Sequence, residues 1–393
     1  MAGKNGAAPF LISGGGIGGL VTAYALAQKG FPVRVFEQSP EFREVGAGIQ
    51  LGPNIFRVLE KIGLKDAVLA DAHRPPGQEM RDALTGKLIT RMPLDETFMA
   101  RFGQPYAVTH RADIHGTFLR ACQSRNLITL ETSRRVDGYE DHGDRVALTM
   151  ENDERVEGRA LIACDGMWSK IRERIVGDGK PRVSGHIAYR AVLKRDQVPD
   201  DLWRPDVVLW AGPRTHFVHY PLRRGELFNL VAVFHSDQYE EGWNAEGNKD
   251  LLWKHFQGQR PEVLRLLELI DVWRLWVLCD REPVKNWSNG RVVLLGDAAH
   301  PDAAISGARR LHGDRGRRGA GGQSRGLARR SAGGVQGLST EPLLTQRSRP
   351  DHGARLWRIL SRARRHRRVA RDGDRRRTPE QAYESIAWLY GGP

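Results

Sequence analysis

Three glycines near the N-terminus are spaced as G-x-G-x-x-G, at Gly14, Gly16 and Gly19. An apolar run over residues 10–12 precedes them and a periodic apolar stretch over residues 20–28 follows, which predicts a strand, a tight turn and a helix. In such a unit the first glycine permits the turn, the second lets the backbone approach a pyrophosphate, and the third allows the helix to pack on the strand. The helix N-terminus directs its free amide groups at the phosphates. The spacing therefore predicts a dinucleotide-binding site.

A second strand is predicted over residues 31–36, and Glu37 lies at its end, 23 residues after Gly14. A carboxylate at this distance is placed to accept hydrogen bonds from the hydroxyl groups of an adenosine ribose. The agreement of strand, helix, strand and acidic residue strengthens the assignment, but these features do not distinguish NAD from FAD.

Two later segments narrow the choice of cofactor. A strand over residues 161–164 ends in Asp165-Gly166 and leads into a helix, and a buried strand over residues 292–295 ends in Gly296-Asp297. The three motifs, in this order, resemble those of the single-component FAD-dependent aromatic hydroxylases of the para-hydroxybenzoate hydroxylase type, and the resemblance covers residues 10–301. It implies an α/β fold, in which an antiparallel β-sheet substrate domain is inserted into a Rossmann-like FAD-binding domain.

The resemblance also implies roles for individual residues. Asp297 would bind the ribityl part of FAD, and Asp165 with Gly166 would support both FAD and a transiently bound NADH or NADPH. Arg111, in the pattern His-Arg-x-Asp-Ile-His, would reach the FAD. Two structural alternatives stay open: Asp165 as a helix N-cap and Arg111 as one partner of a surface ion pair.

Residues 183–235 alternate apolar and polar side chains in several short runs, which predicts an antiparallel sheet, and residues 249–270 read as an interrupted helix. The segment 212–223 resembles the matching segment of 3-hydroxybenzoate 6-hydroxylases, in which a histidine sits close to the substrate phenol. His216 is the candidate base, because a phenol with a pKa of about 10 is a much poorer nucleophile than its phenolate. Tyr220 is the candidate for orienting the ring or binding a carboxylate. The alternative for His216 is a hydrogen bond at a strand edge.

The expected reaction is hydroxylation of 3-hydroxybenzoate to 2,5-dihydroxybenzoate (gentisate), with NAD(P)H, O₂ and a flavin C4a-hydroperoxide. A salicylate hydroxylase producing catechol is the alternative within this class. The alternative from another class is a catalytically inactive chain that retains only nucleotide binding. No metal site, nucleic-acid partner or membrane partner is expected, and the resemblance leaves open a homodimer.

The composition of residues 302–377 differs from that of the remaining chain. This segment holds 21 Arg, no Lys and six acidic residues, a net charge of +15, while the rest carries 40 basic and 41 acidic residues. Codons can be chosen for residues 302–317 that, read without their first nucleotide, encode MLQYLAQGACMAIEDA, which resembles the family's continuation of this motif. Residues 302–377 are therefore interpreted as out-of-frame translation. A genuine basic interaction segment is the alternative.

The expected domains are an FAD-binding domain over residues 1–182 and 272–301, a substrate domain over 183–271, and a resumed helix over 378–393. The three cysteines have unrelated spacings, so neither a disulfide framework nor a metal pattern is predicted. The sequence shows no signal peptide and no long apolar run, so a cytoplasmic location is expected.

Overall fold

The computed structural model describes residues 8–44, 46–236, 243–282, 284–300 and 378–390, apart from the side chains of residues 243–244 and 385–390. The chain forms two compact units. The first contains the described parts of Met1–Glu41, Asn126–Arg182 and Asp280–Asp372, and the second those of Phe42–Arg125, Val183–Cys279 and Gly373–Pro393. The segment interpreted as out of frame lies outside the described residues.

The first unit is built on a six-stranded sheet whose four inner strands and one edge strand run parallel. Its parallel strands are short and apolar, as expected for strands covered on both faces. A three-stranded antiparallel sheet completes the unit. In spatial order the strands of the large sheet are β18 (Ser288–Asn289), β19 (Val292–Leu294), β11 (Ala160–Ala163), β1 (Phe10–Ser13), β2 (Val33–Phe36) and β7 (Ile128–Glu131); the small sheet contains β8 (Val136–Asp141), β9 (Val146–Met150) and β10 (Arg155–Gly158); and the helices are α1 (Ile17–Gln28) and α6 (Lys170–Val176).

The second unit is built on an eight-stranded sheet in which strand β4 (Gly77–Asp82) runs parallel to strand β13 (Val207–Gly212). A two-stranded sheet lies in the same unit. The large sheet has the order β16 (Trp243–Glu246), β17 (Arg274–Asp280), β12 (Arg182–Lys194), β15 (Leu227–His235), β14 (Thr215–Leu222), β13 (Val207–Gly212), β4 (Gly77–Asp82) and β5 (Leu88–Pro93); the small one pairs β3 (Gly48–Leu51) with β6 (Ala107–His110); and the helices are α2 (Pro53–Lys61), α3 (Lys65–Leu69), α4 (Glu96–Phe102), α5 (Arg111–Gln123), α7 (Lys249–Phe256), α8 (Pro261–Glu268) and α9 (Pro379–Tyr390).

Residues 42–125 belong to the second unit, whereas the sequence analysis grouped them with the FAD-binding domain. The physical reason is strand pairing, because β4 joins β13 with Val207 opposite Gln78 and thereby extends the large sheet. The strands expected within residues 183–235 form where they were predicted. The helical stretch over residues 249–270 is divided into α7 and α8, with Pro261 at the first turn of α8.

The large sheet of the second unit buries side chains on both faces. On one face, Tyr220 and Leu222 pack in a cluster with Phe98 and Tyr383. On the other face, Phe234 contacts the rings of His255 and Phe256 of α7. This two-sided burial explains the near-continuous apolar character of β14 and β15.

The C-terminal helix α9 begins at a reciprocal cap. The backbone amide of Gln381 donates to Thr378 Oγ1 at 3.3 Å, and the side-chain oxygen Oε1 of Gln381 accepts the backbone amide of Thr378 at 3.1 Å. Tyr383 anchors the helix by donating to the carbonyl of Pro93 at 3.1 Å. The expected return to ordinary helical sequence at residue 378 therefore gives a packed helix. None of the helices described is long and apolar enough to span a membrane.

Candidate active site

The predicted cofactor residues of the first unit follow neighbouring parallel strands. Ser13 pairs with Ala163 and with Phe36, and Ala163 pairs with Leu294, so the strands end level with one another. Parallel strands in register place the residues that follow them along one edge of the sheet, which is where open α/β sheets bind ligands. The predicted cofactor residues at this edge are Gly14, Glu37, Asp165, Gly166, Gly296 and Asp297.

The glycines of the first motif are required by close backbone contacts. Gly14 has φ +101°, and a Cβ placed on it would lie 2.3 Å from the carbonyl oxygen of Cys164. A Cβ on Gly19 would lie 2.0 Å from the carbonyl oxygen of Gly14. Gly16 precedes α1 as its N-cap and provides no side-chain cap. The loop thus leaves the first amide groups of α1 facing the sheet edge without a capping side chain, as an anion site requires.

Glu37, predicted to bind the adenosine ribose, is hydrogen-bonded to the glycine loop. Its Oε2 accepts the Gly15 amide at 2.8 Å, and its Oε1 accepts the Ser39 amide at 2.9 Å. Each carboxylate oxygen can accept more than one hydrogen bond, so these contacts leave capacity for a ligand hydroxyl. The sequence did not reveal this second role, which fixes the glycine loop against the end of β2.

Asp165 is a half-buried residue with one fully buried carboxylate oxygen. That oxygen, Oδ1, has no hydrogen-bond partner among the described residues. Burial raises the pKa of Asp165, although hydrogen bonds from Ser169 and from the amides at the start of α6 oppose that shift. The N-cap of α6 is Ser169, which accepts the Arg172 amide at 2.9 Å. Gly166 follows with φ +78°.

The Gly296-Asp297 motif forms a single 3₁₀ turn after β19, and Gly296 has φ +63°. Asp297 is exposed on this turn. The preceding Leu295 reaches the start of α1, since its Cδ2 would lie 3.2 Å from a Cβ on Gly18. The turn therefore lies beside the glycine loop, which places Asp297 at the same sheet edge.

A fully buried arginine, which the sequence analysis did not single out, fixes that turn. Arg172 Nη1 donates to the carbonyls of Ala298 and Ala299, both at 2.9 Å. Its Nη2 donates to Asp178 Oδ2 at 2.7 Å. Since Arg172 is 0% exposed, its charge depends on these partners.

A second arginine completes the arrangement. Arg281 Nη1 donates to Asp178 Oδ1 at 2.8 Å, and its Nε donates to the Met167 carbonyl at 3.0 Å. Partial burial would raise the pKa of Asp178, but the hydrogen bonds and charges of Arg172 and Arg281 hold it below its usual value. Asp178 thereby links the Asp-Gly loop to the Gly-Asp turn.

The first unit fits a flavin dinucleotide on three structural observations. Gly14 and Gly19 have no room for a side chain, and the buried atoms Asp165 Oδ1 and His300 Nε2 have no hydrogen-bond partner among the described residues. The His300 ring packs against Trp287 with ring centroids 4.9 Å apart. Unsatisfied buried polar atoms beside a phosphate-type loop indicate a ligand with donors and acceptors of its own.

The predicted catalytic residues His216 and Tyr220 both lie on β14, in the second unit. Because side chains alternate along a strand, residues four apart project from the same face. His216 is opposite Val233 and Tyr220 is opposite Asn229 on β15. The structure thus places both candidates on one face of the large sheet.

His216 is half-buried. Burial, aided by the neighbouring His186, lowers the pKa of His216 to about 4. At neutral pH the ring is therefore uncharged and has a nitrogen lone pair with which to accept a proton or hydrogen bond. An anionic phenolate beside it would stabilise the protonated form and raise the pKa again.

Tyr220 is 3% exposed and packs tightly against β3. A Cβ on Gly48 would lie 2.6 Å from Tyr220 Oη. Burial raises the pKa of Tyr220 to about 12, against the opposing effects of Arg190 and a hydrogen bond with Gln50. The phenol is thus protonated at neutral pH, and Gln50 also accepts a hydrogen bond from Tyr106.

Arg111 is the first residue of α5 and belongs to the second unit, whereas the other predicted cofactor residues belong to the first. Its Nε lies 3.5 Å from Glu44 Oε2, and its side chain is 35% exposed. Its amide donates to the Ala47 carbonyl at 2.9 Å. The ion pair that the sequence left open is present. A cofactor contact of Arg111 stays a prediction.

Comparison with known proteins supports the family. The family model described as FAD binding domain matches residues 7–307. The chain is 40% identical over 98% of its length to 3-hydroxybenzoate 6-hydroxylase of Polaromonas naphthalenivorans (strain CJ2), covering 96% of that protein. It is 42% identical to 3-hydroxybenzoate 6-hydroxylase of Klebsiella oxytoca, over 75% of this chain and 74% of that one. The chain belongs to the single-component FAD-dependent aromatic hydroxylases.

Solved structures agree with this fold. A salicylate hydroxylase substrate complex matches with a TM-score of 0.64 at 22% identity, over 76% of this chain and 74% of that chain. The Klebsiella pneumoniae HpxO complex with FAD and uric acid matches with a TM-score of 0.65 at 24% identity, over 74% and 73%. The protein is therefore an FAD-dependent aromatic-ring monooxygenase with the predicted α/β architecture.

Proposed function

We propose that the chain hydroxylates 3-hydroxybenzoate para to its hydroxyl group and releases gentisate. The observation that carries the proposal is the pair His216 and Tyr220 on one sheet face, in a chain 40% identical to a named 3-hydroxybenzoate 6-hydroxylase. In the balanced reaction one oxygen atom of O₂ enters the ring and the other leaves as water. NAD(P)H is oxidised to NAD(P)⁺ and one proton is consumed.

The first unit would hold FAD through the residues at its sheet edge. The glycine loop would contact the pyrophosphate, Glu37 the ribose, and Asp297 the ribityl chain. When bound, FAD supplies the oxygen-transferring chemistry, using electrons from the nicotinamide nucleotide. Asp165 would offer its unsatisfied Oδ1 to the cofactor.

His216 would act on the substrate phenol. As a neutral ring it accepts the phenolic hydrogen bond, which increases electron density at the para carbon. Complete transfer of a proton from a phenol of pKa about 10 requires that the resulting ion pair be stabilised within the site. Tyr220, which keeps its own proton, would donate a hydrogen bond to an anionic substrate.

Product analysis separates this reaction from salicylate hydroxylation. The purified protein is supplied with FAD, NADH or NADPH, and each acid in turn. We expect gentisate from 3-hydroxybenzoate and no catechol from salicylate. The variant His216→Asn should lower kcat on 3-hydroxybenzoate about 100-fold, within the range of general acid–base contributions, while FAD binding is unchanged. Catechol from salicylate would support the alternative instead.

We also propose that residues 302–377 arise from a shifted reading frame, with one inserted nucleotide near codon 302 and a compensating deletion near codon 377. Arginine without lysine, in a segment lacking Phe and Tyr, supports this. The family model ends at residue 307. Sequencing the DNA across codons 295–380 tests the proposal, and a clean read in the present frame would reject it. A chain translated from the repaired reading frame should then catalyse the proposed reaction faster than the present chain.

A further inference from the structure

Two buried N–H donors of the second unit have no acceptor among the residues that the structure describes. Arg190 Nε and Asn229 Nδ2 lie out of contact with solvent, and within this part of the chain neither has a hydrogen-bond partner. Leaving such a group unsatisfied destabilises the folded state, and more so when the group is charged. Folded proteins rarely retain such groups unless a ligand or water satisfies them.

The orientation of Asn229 is fixed by its other contact. The Gly48 amide donates to Asn229 Oδ1 at 2.9 Å. Since an amide N–H can only donate, the accepting atom of Asn229 must be its oxygen, and the unpaired atom must be the NH₂ group. Asn229 is fully buried, so this donor is held in place.

Strand register brings the two donors together. Asn229 is opposite Tyr220 on β14 and opposite Val192 on β12. Arg190 lies two residues before Val192, so its side chain projects from the same face and is a diagonal neighbour of Asn229. Diagonal positions are within reach of a long side chain. Both donors therefore lie beside the predicted catalytic residues.

Arg190 differs from the other arginines of its sheet. Arg81 pairs with Glu79 at 2.8 Å and Arg91 pairs with Asp206 at 3.0 Å. Among the described residues Arg190 has no carboxylate partner, and its guanidinium lies over the ring of Trp276 at 5.2 Å. Burial lowers the pKa of Arg190, yet a guanidinium retains its charge in proteins. The site thus contains a partly buried positive charge without a counter-ion.

We propose that Arg190 and Asn229 form the subsite for the carboxylate of an aromatic acid. A planar guanidinium and a neighbouring amide N–H match the two oxygens of a carboxylate. Val192, Val218 and Val231 lie on the same face and provide apolar surface for a ring. The inference rests on the proposed function for the rest of the substrate, and it assigns the carboxylate to Arg190 and Asn229 and leaves Tyr220 to orient the ring.

The test compares a charged ligand with its neutral isostere. Binding of 3-hydroxybenzoate and of 3-hydroxybenzamide to the FAD-supplied protein is measured by titration calorimetry. Arg190→Met should weaken 3-hydroxybenzoate binding about 100-fold, as expected for loss of a charge-assisted pair, and should change benzamide binding less than about 3-fold. Arg190→Lys keeps the positive charge but loses the planar guanidinium that can donate two hydrogen bonds to one carboxylate. The affinity for 3-hydroxybenzoate should therefore fall by an intermediate factor of about 10.

The matched control is Arg81→Met. Arg81 also lies over a tryptophan of this sheet, Trp210 at 6.0 Å, but it already has a carboxylate partner. Binding of both ligands should remain as in the wild type. Asn229→Asp provides a second test, because it keeps the acceptor for Gly48 but replaces the free donor with a negative charge. It should weaken 3-hydroxybenzoate about 100-fold and spare 3-hydroxybenzamide.

The outcomes separate this inference from the proposed function. Equal weakening of both ligands by Arg190→Met, or unchanged 3-hydroxybenzoate binding, would overturn the carboxylate subsite while leaving gentisate formation to be judged by its own product. Charge-selective, Arg190-dependent binding without gentisate formation would support the subsite and reject the proposed reaction. A wild-type protein that binds neither ligand would overturn both.

Discussion

Two regions of the molecule are built on different principles: the sheet edge of the first unit that holds Gly14, Asp165 and Gly296, and the face of the second unit's large sheet that holds His216 and Tyr220. At the edge, backbone groups make the site, and the buried side chain of Arg172 donates hydrogen bonds to partners within the unit. On the sheet face, side chains make the site, and Arg190 and Asn229 keep unsatisfied donors. The loops at the edge are therefore held in place by the unit itself, although Asp165 Oδ1 and His300 Nε2 lack a partner among the described residues, whereas on the face the candidate ligand-binding side chains themselves keep unsatisfied donors.

This difference predicts opposite responses to mutation. Changes at the edge should affect folding and cofactor binding together, because the loops there are held by interactions that also stabilise the unit. Changes at the face should affect ligand choice with little loss of stability, because the groups involved contribute little to the folded state without a ligand.

The largest expected effect is at Gly14. Gly14→Ala places a methyl group 2.3 Å from the Cys164 carbonyl oxygen, at φ +101°. We expect a loss of about 4 kcal/mol in the free energy of unfolding together with loss of FAD, measured by denaturation and flavin absorbance. Gly30→Ala is the control, since Gly30 has φ +81° but open space around it. It should cost only about 1 kcal/mol and retain FAD.

A smaller loss is expected for Arg172→Leu. The change leaves the carbonyls of Ala298 and Ala299 without their donor and removes one partner of Asp178. Breaking such a buried arrangement should cost about 3 kcal/mol and weaken FAD binding, because the Gly-Asp turn loses its support. Arg174→Leu, on the same helix but exposed, should stay within about 0.5 kcal/mol of wild type. Equal effects of the two changes would contradict the proposed role of Arg172.

Acid should destabilise the second unit through its buried histidines. Burial, with the nearby charges of Arg204 and Arg81, lowers the pKa of His219 to about 3, and burial lowers that of His216 to about 4. Both folded-state pKa values lie below the unfolded value of about 6.5, so stability is complete above that pH and falls as the pH drops towards 4.

The variant His219→Gln removes one of these two titrating side chains and so measures its contribution to the pH dependence. Glutamine can still accept the hydrogen bond that Trp210 Nε1 donates at 3.1 Å. Between pH 6.5 and 4.5 the variant should lose roughly 2 kcal/mol less than the wild type, measured by urea denaturation. An unchanged slope in His219→Gln would show that this buried ring is not responsible.

The smallest effect on stability is expected at Asp165. Because burial raises the pKa of Asp165, its ionised form is unfavourable in the folded state without a ligand. Asp165→Asn should therefore stabilise the FAD-free protein by up to about 1 kcal/mol and still weaken FAD binding about 10-fold. Stabilisation of both the free and FAD-bound forms would argue against a cofactor role for Oδ1.

The position of Gly14, Asp165 and Gly296 along one edge of the first unit's sheet could be predicted from the sequence, because each is tied to a strand end by a few residues of local chain; their contacts with FAD stay a prediction. All three lie one or two residues after the ends of their strands. The parallel register of these strands brings the three residues to the same edge of the sheet. His216 and Tyr220 were also predictable as a pair, because residues four apart on one strand share a face.

The groups that the sequence did not reveal depend on long-range pairing. Arg190 and Asn229 are 39 positions apart, and only the register of β12 on β15 makes them neighbours. The carbonyl partners of Arg172, at Ala298 and Ala299, lie 126 and 127 positions away. The joining of β4 to β13 likewise assigned residues 42–125 to the second unit, which no local pattern indicated.

The most direct test of the account is the reaction of the FAD-supplied protein with 3-hydroxybenzoate and NADH or NADPH under ¹⁸O₂, with the product analysed by mass spectrometry. The account predicts gentisate carrying one ¹⁸O atom, formed with substrate-stimulated oxidation of the nicotinamide nucleotide. Labelled catechol from salicylate in its place, or no labelled aromatic product from a chain that binds FAD, would contradict it.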